Sequence, residues 1–159
     1  MFGLNKYKKV SHSDGMIQFR VPKDWTEELE DDGNLVLWNE SGISGTLRLT
    51  LLTAKKKNEI SDNPALSLLG DKEPKAVVLE NDNAYRYFAS ESEENGDPIK
   101  IFHYELANYI EPEYYRLALY SFTIYSAQEN KKEIQKQLEV LDRELPITVF
   151  LSDVQDWEK

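Results

Sequence analysis

Acidic side chains are the most numerous groups in this sequence that could do chemistry, and many of them fall in two short segments. The chain has 29 Asp and Glu residues against 19 Lys and Arg, a formal net charge of −10 at pH 7. General acid–base catalysis needs a carboxylate in a desolvating pocket that shifts its pKa. Acids crowded into loops are screened by water instead, and they suit contact with a basic partner. We therefore predict that segments 27–32 and 91–97 are solvated loops and the regions that contact a partner. Their acids are Glu27, Glu28, Glu30, Asp31, Asp32, Glu91, Glu93, Glu94 and Asp97.

The motifs that would indicate a nucleophile, a metal or a cofactor are missing from the sequence. There is no cysteine, and the two histidines, His12 and His103, lie far apart, which argues against a zinc site. Residues 42–46 approach a nucleophile elbow, but Thr46 stands where the second glycine is required. The acidic run 30–34 lacks the alternating ligands and distal glutamate of a calcium-binding loop. We therefore predict no catalytic residue, no metal site and no cofactor.

Two further features leave a functional role open. Glu105, next to Tyr104 on a predicted strand, is the acid whose burial would matter most, and His103 is expected to pair with it only across a neighbouring strand. Six of the nine tyrosines fall between Tyr104 and Tyr125. Tyrosine is favoured in strands and is also enriched at protein interfaces, where its apolar ring carries a polar tip. Any of these rings that helices leave uncovered would form a contact patch.

A strand that ends in a proline–tryptophan corner opens the clearest stretch of the sequence. Ile17, Phe19 and Val21 alternate with polar residues, as a half-buried strand requires. Pro22 ends this strand because it has no N–H for the ladder. Trp25 is then expected to fold back and cover the open end of the core.

The segment from Phe19 to Trp25 resembles the opening of PsbP-like domains. That superfamily includes the photosystem oxygen-evolving extrinsic protein, the Ran-binding Mog protein and several bacterial families. The shared pattern is an apolar strand, a proline and a tryptophan a few residues on, matched here by Phe19, Val21, Pro22 and Trp25. The resemblance implies an antiparallel sheet sandwiched by helices. It implies no catalytic residue, because the superfamily shares none.

The other periodic segments predict an α+β fold, with an antiparallel sheet of about six to eight strands flanked by helices as an α/β/α sandwich. A helix over 129–145 has an apolar stripe at four-, three- and four-residue spacing. A shorter helix begins at an N-cap, Ser61 or Asp62, and ends at Gly70. His12 is placed in a solvated turn. The remaining predicted strands are 7–10, 35–38, 46–51, 76–79, 84–90, 99–104 and 114–126, with 147–151 a last short strand or a packed tail.

Length and composition predict one domain over residues 1–159. The negative net charge argues against nucleic acid as a partner, and no apolar run is long enough to span a membrane. The protein is expected to be cytoplasmic if Met1 is the native start. The leading hypothesis is a non-enzymatic protein-binding module for a basic partner. The alternative is a small-ligand-binding or hydrolytic domain with a pocket between sheet and helix, and a third possibility is a purely structural domain of a larger assembly.

Overall fold

A computed structural model describes residues 6–13, 15–55, 63–110 and 114–151 of the chain. Its strands are β1 (Tyr7–His12), β2 (Ile17–Pro22), β3 (Trp25–Leu29), β4 (Leu35–Asn39), β5 (Thr46–Lys55), β6 (Val77–Val78), β7 (Ala84–Glu94), β8 (Asp97–Ile110), β9 (Tyr114–Tyr125) and β10 (Val149–Phe150). Its α-helices are α1 (Pro64–Leu69) and α2 (Lys132–Glu144), and single 3-10 turns occupy Ser126–Gln128 and Leu145–Ile147.

The strands form two antiparallel sheets. The smaller has the order β1-β2-β10, and the larger has the order β3-β4-β5-β9-β8-β7-β6. The smaller sheet and α2 pack against one face of the larger sheet, here called the inner face, while α1 packs against the opposite, outer face. The predicted α+β fold, an antiparallel sheet between helices, is confirmed.

The core lies between the inner face and the layer made by β2 and α2. The edge of the Phe19 ring meets the Tyr120 ring at 5.2 Å between centroids. Trp25 is buried and lies parallel to Phe122 at 6.3 Å, so the proline–tryptophan corner covers the core as predicted. Burial of each such side chain stabilises the fold by about 1.5–3 kcal/mol. These contacts therefore hold the small sheet on the large one.

The caps of α1 explain its short length. Asn63 is the N-cap, and its Oδ1 accepts a hydrogen bond from the Leu66 N–H at 3.0 Å. Pro64 follows directly, at the first helical position, where its missing N–H does no harm. Gly70 ends the helix with a φ of +78°, a conformation that glycine adopts without strain. Ser61 and Asp62, the predicted N-caps, lie outside the described residues.

The prediction that 27–32 and 91–97 are loops is wrong. β3 extends to Leu29, so only the turn at 30–34 is irregular, and β7 extends to Glu94. The hairpin turn is reduced to Asn95 and Gly96, with φ values of +52° and +87°, the conformation of a two-residue hairpin turn. Pairing with β4 and β8 satisfies the backbone groups, and acidic side chains remain hydrated at a sheet edge or a hairpin end. The acids therefore alternate between the two faces of the sheet.

Two smaller predictions also change. His12 is the last residue of β1, opposite Ile17, and not part of the turn. It is half-buried, and burial lowers its pKa below the usual value. The open choice for 147–151 resolves as a strand, because Val149 and Phe150 pair with β2.

The outer face is covered only in part. α1 packs against Ala84 and Ala107, near the end where β7 begins. Beyond α1 lies a band of mostly half-buried side chains that no helix of the described residues covers, and we call it the open strip. By the strand register, its members are Val36, Trp38, Thr46, Arg48, Thr50, Phe88, Ser90, Ile101, His103, Leu119, Ser121 and Thr123.

Candidate interaction surface

Arg48 lies in the open strip and binds one of the predicted acids. Its Nε and Nη2 donate hydrogen bonds to the two carboxylate oxygens of Glu30 at 3.0 and 3.3 Å. This hydrogen bonding is the main cause that raises the pKa of Arg48, and burial opposes it. The negative charges of Glu30, Asp32 and Glu94 raise that pKa further. The guanidinium therefore marks a place where several carboxylates come together.

Glu94 reaches this place from the other predicted segment. It ends β7, which is three strands away from β5 in the larger sheet. In a flat sheet three strand spacings are about 14 Å, and Glu94 lies six residues beyond Phe88, the β7 residue level with Arg48. The two side chains would then be farther apart than the ~10 Å over which exposed charges interact in salt. Because the Glu94 carboxylate still acts on Arg48, we infer that the twisted β7–β8 hairpin carries its tip over the outer face. Charges from both predicted acidic segments thus act on Arg48, and Glu30 alone among them binds it directly.

Three more of the predicted acids lie on the outer side or at its rim. Glu28 is exposed on the outer face of β3, in register with Val36. Asp97 pairs with Glu94 at the hairpin tip. Asp31 is exposed in the 30–34 turn, beside Asp32. Together with the carboxylates around Arg48, they give this rim a negative charge.

The other three predicted acids point away from this rim. Glu27 lies on the inner side of β3 and forms an ion pair with Lys8 at 2.8 Å. Glu91 and Glu93 alternate with the outer-face residues of β7, so they also face the inner side. Of the nine predicted acids, three therefore act on Arg48, two lie on the outer face by register, one lies in the 30–34 turn, and three face the inner side.

The open strip supplies large apolar groups beside the acidic rim. Trp38, Phe88 and Leu119 are half-buried members of it. Sequence reasoning missed this surface because most of its residues on β4, β5, β8 and β9 alternate with core positions on the same strand. The signal that could have found it is β4, where Val36 and Trp38 are apolar on the side opposite Leu35 and Leu37.

The tyrosines of β8 and β9 do not form an exposed contact patch in the described residues. Tyr104, Tyr115 and Tyr120 are buried, and only Tyr125 is well exposed among the described tyrosines of these strands. Burial is the main cause that raises the pKa of Tyr104 and of Tyr120. Tyr104 donates a hydrogen bond to Asp142 of α2 at 2.9 Å. These rings serve the core and its attachment to α2.

His103 and Glu105 share the outer face, since they lie two residues apart on β8, and the expectation that they could meet only across strands is wrong. The His103 Nε2 lies 2.9 Å from the Ser90 Oγ, and the Phe88 ring stacks on the imidazole at 4.5 Å. Burial lowers the pKa of His103, against the opposing charge of Glu105. Glu105 is bound by Arg86 at 2.7 Å, and in the described residues no hydrogen bond joins it to the imidazole as the orienting carboxylate of a hydrolase would be joined.

The described residues also contain concave sites. A cavity of about 210 Å³ lies between α2 and the sheets, beside Trp25 and Gln137. A cavity of about 560 Å³ lies between the turn after β6 and the segment 146–150. Within the described ranges, no three metal-ligating side chains come together, and no helix there is long and apolar enough to cross a membrane.

Comparison with known proteins bears on the fold. No protein-family model matches the sequence, and no curated protein matches it. The structure is similar to one from Bacteroides thetaiotaomicron, with 14% identity and a TM-score of 0.65 over 93% of this chain. It is also similar to LpqN of Mycobacterium tuberculosis, a protein involved in cell envelope biogenesis, with 14% identity and a TM-score of 0.58 over 90% of this chain and 89% of LpqN. The fold is PsbP-like.

The PsbP-like fold is shared with these two structures at an identity too low to transfer a function. The chain spans 50% of the Bacteroides structure. The cyanobacterial PsbP of Synechocystis is matched over 94% of this chain and 95% of its own, with 8% identity and a TM-score of 0.38, which is too low to support an argument.

Proposed function

We propose that the protein is a non-enzymatic protein-binding module that holds a basic partner on the open strip and its acidic rim. The observation that carries this proposal is that Arg48 binds Glu30 and also lies in the field of Asp32 and Glu94, so that two segments far apart in sequence supply the charges. Three carboxylates against one guanidinium leave the site negative. Such a surface attracts lysine- and arginine-rich partners and speeds their association.

The open strip gives the site an apolar centre. Protein interfaces combine a central apolar region, in which aromatic residues are enriched, with a polar rim. Trp38 and Phe88 would provide the centre, and the carboxylates would provide the rim. A non-enzymatic role is supported by Glu105, because it pairs with Arg86 and forms no hydrogen bond to the imidazole in the described residues, as the carboxylate of a serine–histidine hydrolase would.

Affinity capture with matched charge variants tests the proposal. The immobilised protein is incubated with lysate of its source, and retained proteins are identified by mass spectrometry after low-salt and high-salt washes. The test variant carries Glu30→Gln, Asp32→Asn and Glu94→Gln. The control carries Glu91→Gln, Glu93→Gln and Glu139→Gln, which remove the same charge from exposed positions off the outer face.

We expect a stoichiometric partner that the wild type and the control retain and the test variant loses. Titration calorimetry with that purified partner should then show a smaller salt dependence for the test variant, because fewer charges take part. Equal loss in both variants would mean unspecific charge attraction, and retention by both would place the contact elsewhere. An ester-hydrolysis assay on the wild type and on Ser90→Ala tests the hydrolytic alternative, and we expect no difference between them.

A further inference from the structure

A cluster of asparagines forms a wall shared by two cavities, away from the open strip. The cavity of about 560 Å³ is bounded by the turn after β6 and by 146–150. A second cavity, of about 430 Å³, lies on the other side of the same turn, toward the beginning of α1. Asn81, Asn83 and Asn108 line both. Cavities of several hundred Å³ are of the size that binds small ligands.

Asn83 is the polar residue most firmly fixed in this wall. It is 5% exposed, and its backbone carbonyl accepts from the Leu79 N–H at 2.9 Å. Its backbone N–H donates to Asn81 Oδ1 at 3.1 Å, and its side-chain Oδ1 accepts from Asn108 Nδ2 at 2.8 Å. Two of these bonds fix the backbone of Asn83 and the third holds its side-chain oxygen, so the direction of its amide is set by the fold.

Arg116 sets which end of each amide faces the cavity. Its Nη2 and Nε donate to Asn108 Oδ1 at 3.0 and 3.3 Å, and a guanidinium has no acceptor. The Asn108 amide must therefore present its oxygen to Arg116 and its nitrogen to Asn83. Asn83 then accepts with its oxygen and is left with its Nδ2 donor at the end of the chain of hydrogen bonds.

That terminal donor faces open space. No hydrogen bond of the described residues uses Asn83 Nδ2. Among the described residues, Arg86 Nη1 is the one side-chain nitrogen or oxygen that is both fully buried and without a hydrogen-bond partner. Asn83 Nδ2 has no partner either, so it must be accessible. The space beside it is the pair of cavities. The positive charge of Arg116 polarises the chain, which makes its last N–H a better donor.

The surroundings restrict what could accept this hydrogen bond. Leu79, Pro146, Val149 and Phe150 form an apolar wall opposite the amide. Glu80 and Asp82 are exposed at the mouths of the cavities, and their charge disfavours an anion. We infer that the 560 Å³ cavity binds a small uncharged ligand that presents a carbonyl oxygen to Asn83 Nδ2 and an apolar group to the 146–150 wall.

N-acetyl-leucinamide is a probe of this chemistry, because it joins uncharged amide carbonyls to an apolar side chain. N-acetyl-leucine, which differs by its carboxylate, is the matched comparison. Titration of the full-length, isotope-labelled protein with each compound is followed by NMR on the Asn83 side-chain NH₂ and on the Val149 and Phe150 backbone amides. We expect saturable shifts with the amide at millimolar concentration and at least about tenfold weaker binding of the acid.

Asn83→Asp replaces the donor by an acceptor of the same shape while still accepting from Asn108. Asn81→Asp adds the same charge to the same wall and leaves the Asn83 donor in place, so it is the control. We expect Asn83→Asp to raise the dissociation constant of the amide by about tenfold or more and Asn81→Asp to change it by less than about threefold.

Val149→Trp, at an exposed position of the wall, keeps the test valid if Asn83→Asp does not fold, because it fills the cavity and leaves the asparagines unsubstituted. It should abolish the shifts. The inference is overturned if the acid binds as well as the amide, if Asn83→Asp and Asn81→Asp behave alike, if Val149→Trp still binds, or if neither compound shifts these resonances.

Discussion

Gly45 lies directly against the ring of Phe122. A Cβ atom at position 45 would fall 2.7 Å from Phe122 Cε1 and 2.8 Å from Ile124 Cγ2, both inside normal contact distance. The same residue donates its backbone N–H to Gln137 Oε1 of α2 at 3.1 Å. The glycine that suggests a nucleophile elbow is therefore needed for the close approach of β5, β9 and α2.

Replacing Gly45 by alanine should destabilise the protein by about 2 kcal/mol, because Phe122 is fully buried and must move to admit a methyl group. Urea unfolding measures the change. Gly42→Ala is the matched control, since a Cβ there meets nothing within 4 Å, and it should be nearly neutral. Equal stability of the two variants would show that the Phe122 ring yields freely.

Glu144 connects α2 to the small sheet. Its side chain is 1% exposed, and it accepts hydrogen bonds from Arg20 at 2.8 and 3.1 Å and from Arg143 at 2.9 Å. Burial by itself would raise the pKa of Glu144, but the two arginines outweigh it and hold that pKa below its usual value. A pKa lowered by folding stabilises the protein above pH 4.5, and this stabilisation is lost as the pH falls through the folded-state pKa.

We therefore expect Glu144→Gln to lower the free energy of unfolding by about 2 kcal/mol at neutral pH. The difference from wild type should shrink as the pH falls below 4.5, where the unfolded chain takes up a proton, and should be lost below the lower folded-state pKa, where the native carboxylate is protonated too. Urea unfolding at a series of pH values measures it, with Glu139→Gln on the exposed side of α2 as control. A difference that stayed constant with pH would mean that packing, and not charge, is lost.

Arg86 and Glu105 form a nearly buried ion pair, with side chains 8% and 20% exposed. The Arg86 Nη1 has no hydrogen-bond partner. Among the charged groups on β8, Glu105 alone compensates the charge of this guanidinium. Glu105→Met should cost about 3 kcal/mol, because it leaves a buried charge unpaired. The double variant with Arg86→Met should cost less than the sum of the single changes. Additive losses in a double-mutant cycle would contradict this assignment.

Much of the core could be predicted because local periodicity reports burial. Ile134, Leu141 and Leu145 of the predicted helical stripe are fully buried, and Trp25 covers the core as its spacing from Pro22 indicates. These inferences need only the geometry of one helix or strand. His103 and Glu105 could have been placed on one face by the same rule, because residues two apart on a strand point the same way.

The candidate sites depend on register and twist, which no local pattern specifies. Asn108 and Arg116 are directly opposite in the β8–β9 ladder, yet they are eight positions apart in the sequence. The approach of Glu94 to Arg48 needs the pairing of four strands and the coiling of a long hairpin. Acid-rich composition therefore indicated candidate charges without showing which of them lie near one another.

Arg48 supplies the sharpest test of the acidic rim. Arg48→Met removes the guanidinium that Glu30, Asp32 and Glu94 share, so these carboxylates repel one another. We expect a loss of about 0.5–1 kcal/mol in unfolding free energy at low salt. Most of it should be recovered near 1 M salt, where charges are screened within about 3 Å. Lys132→Met, an exposed charge on α2, is the control and should show no such salt dependence.

Arg48→Met, which weakens folding, should strengthen binding if the carboxylates are the groups that a basic partner contacts. Removing Arg48 makes the rim more negative and frees both oxygens of Glu30, so the captured partner should bind more tightly and associate faster at low salt. Glu30→Gln alone should weaken it. Surface plasmon resonance at two salt concentrations separates these changes. Weaker binding of Arg48→Met would instead make the guanidinium itself a contact and contradict an acidic site for a basic partner.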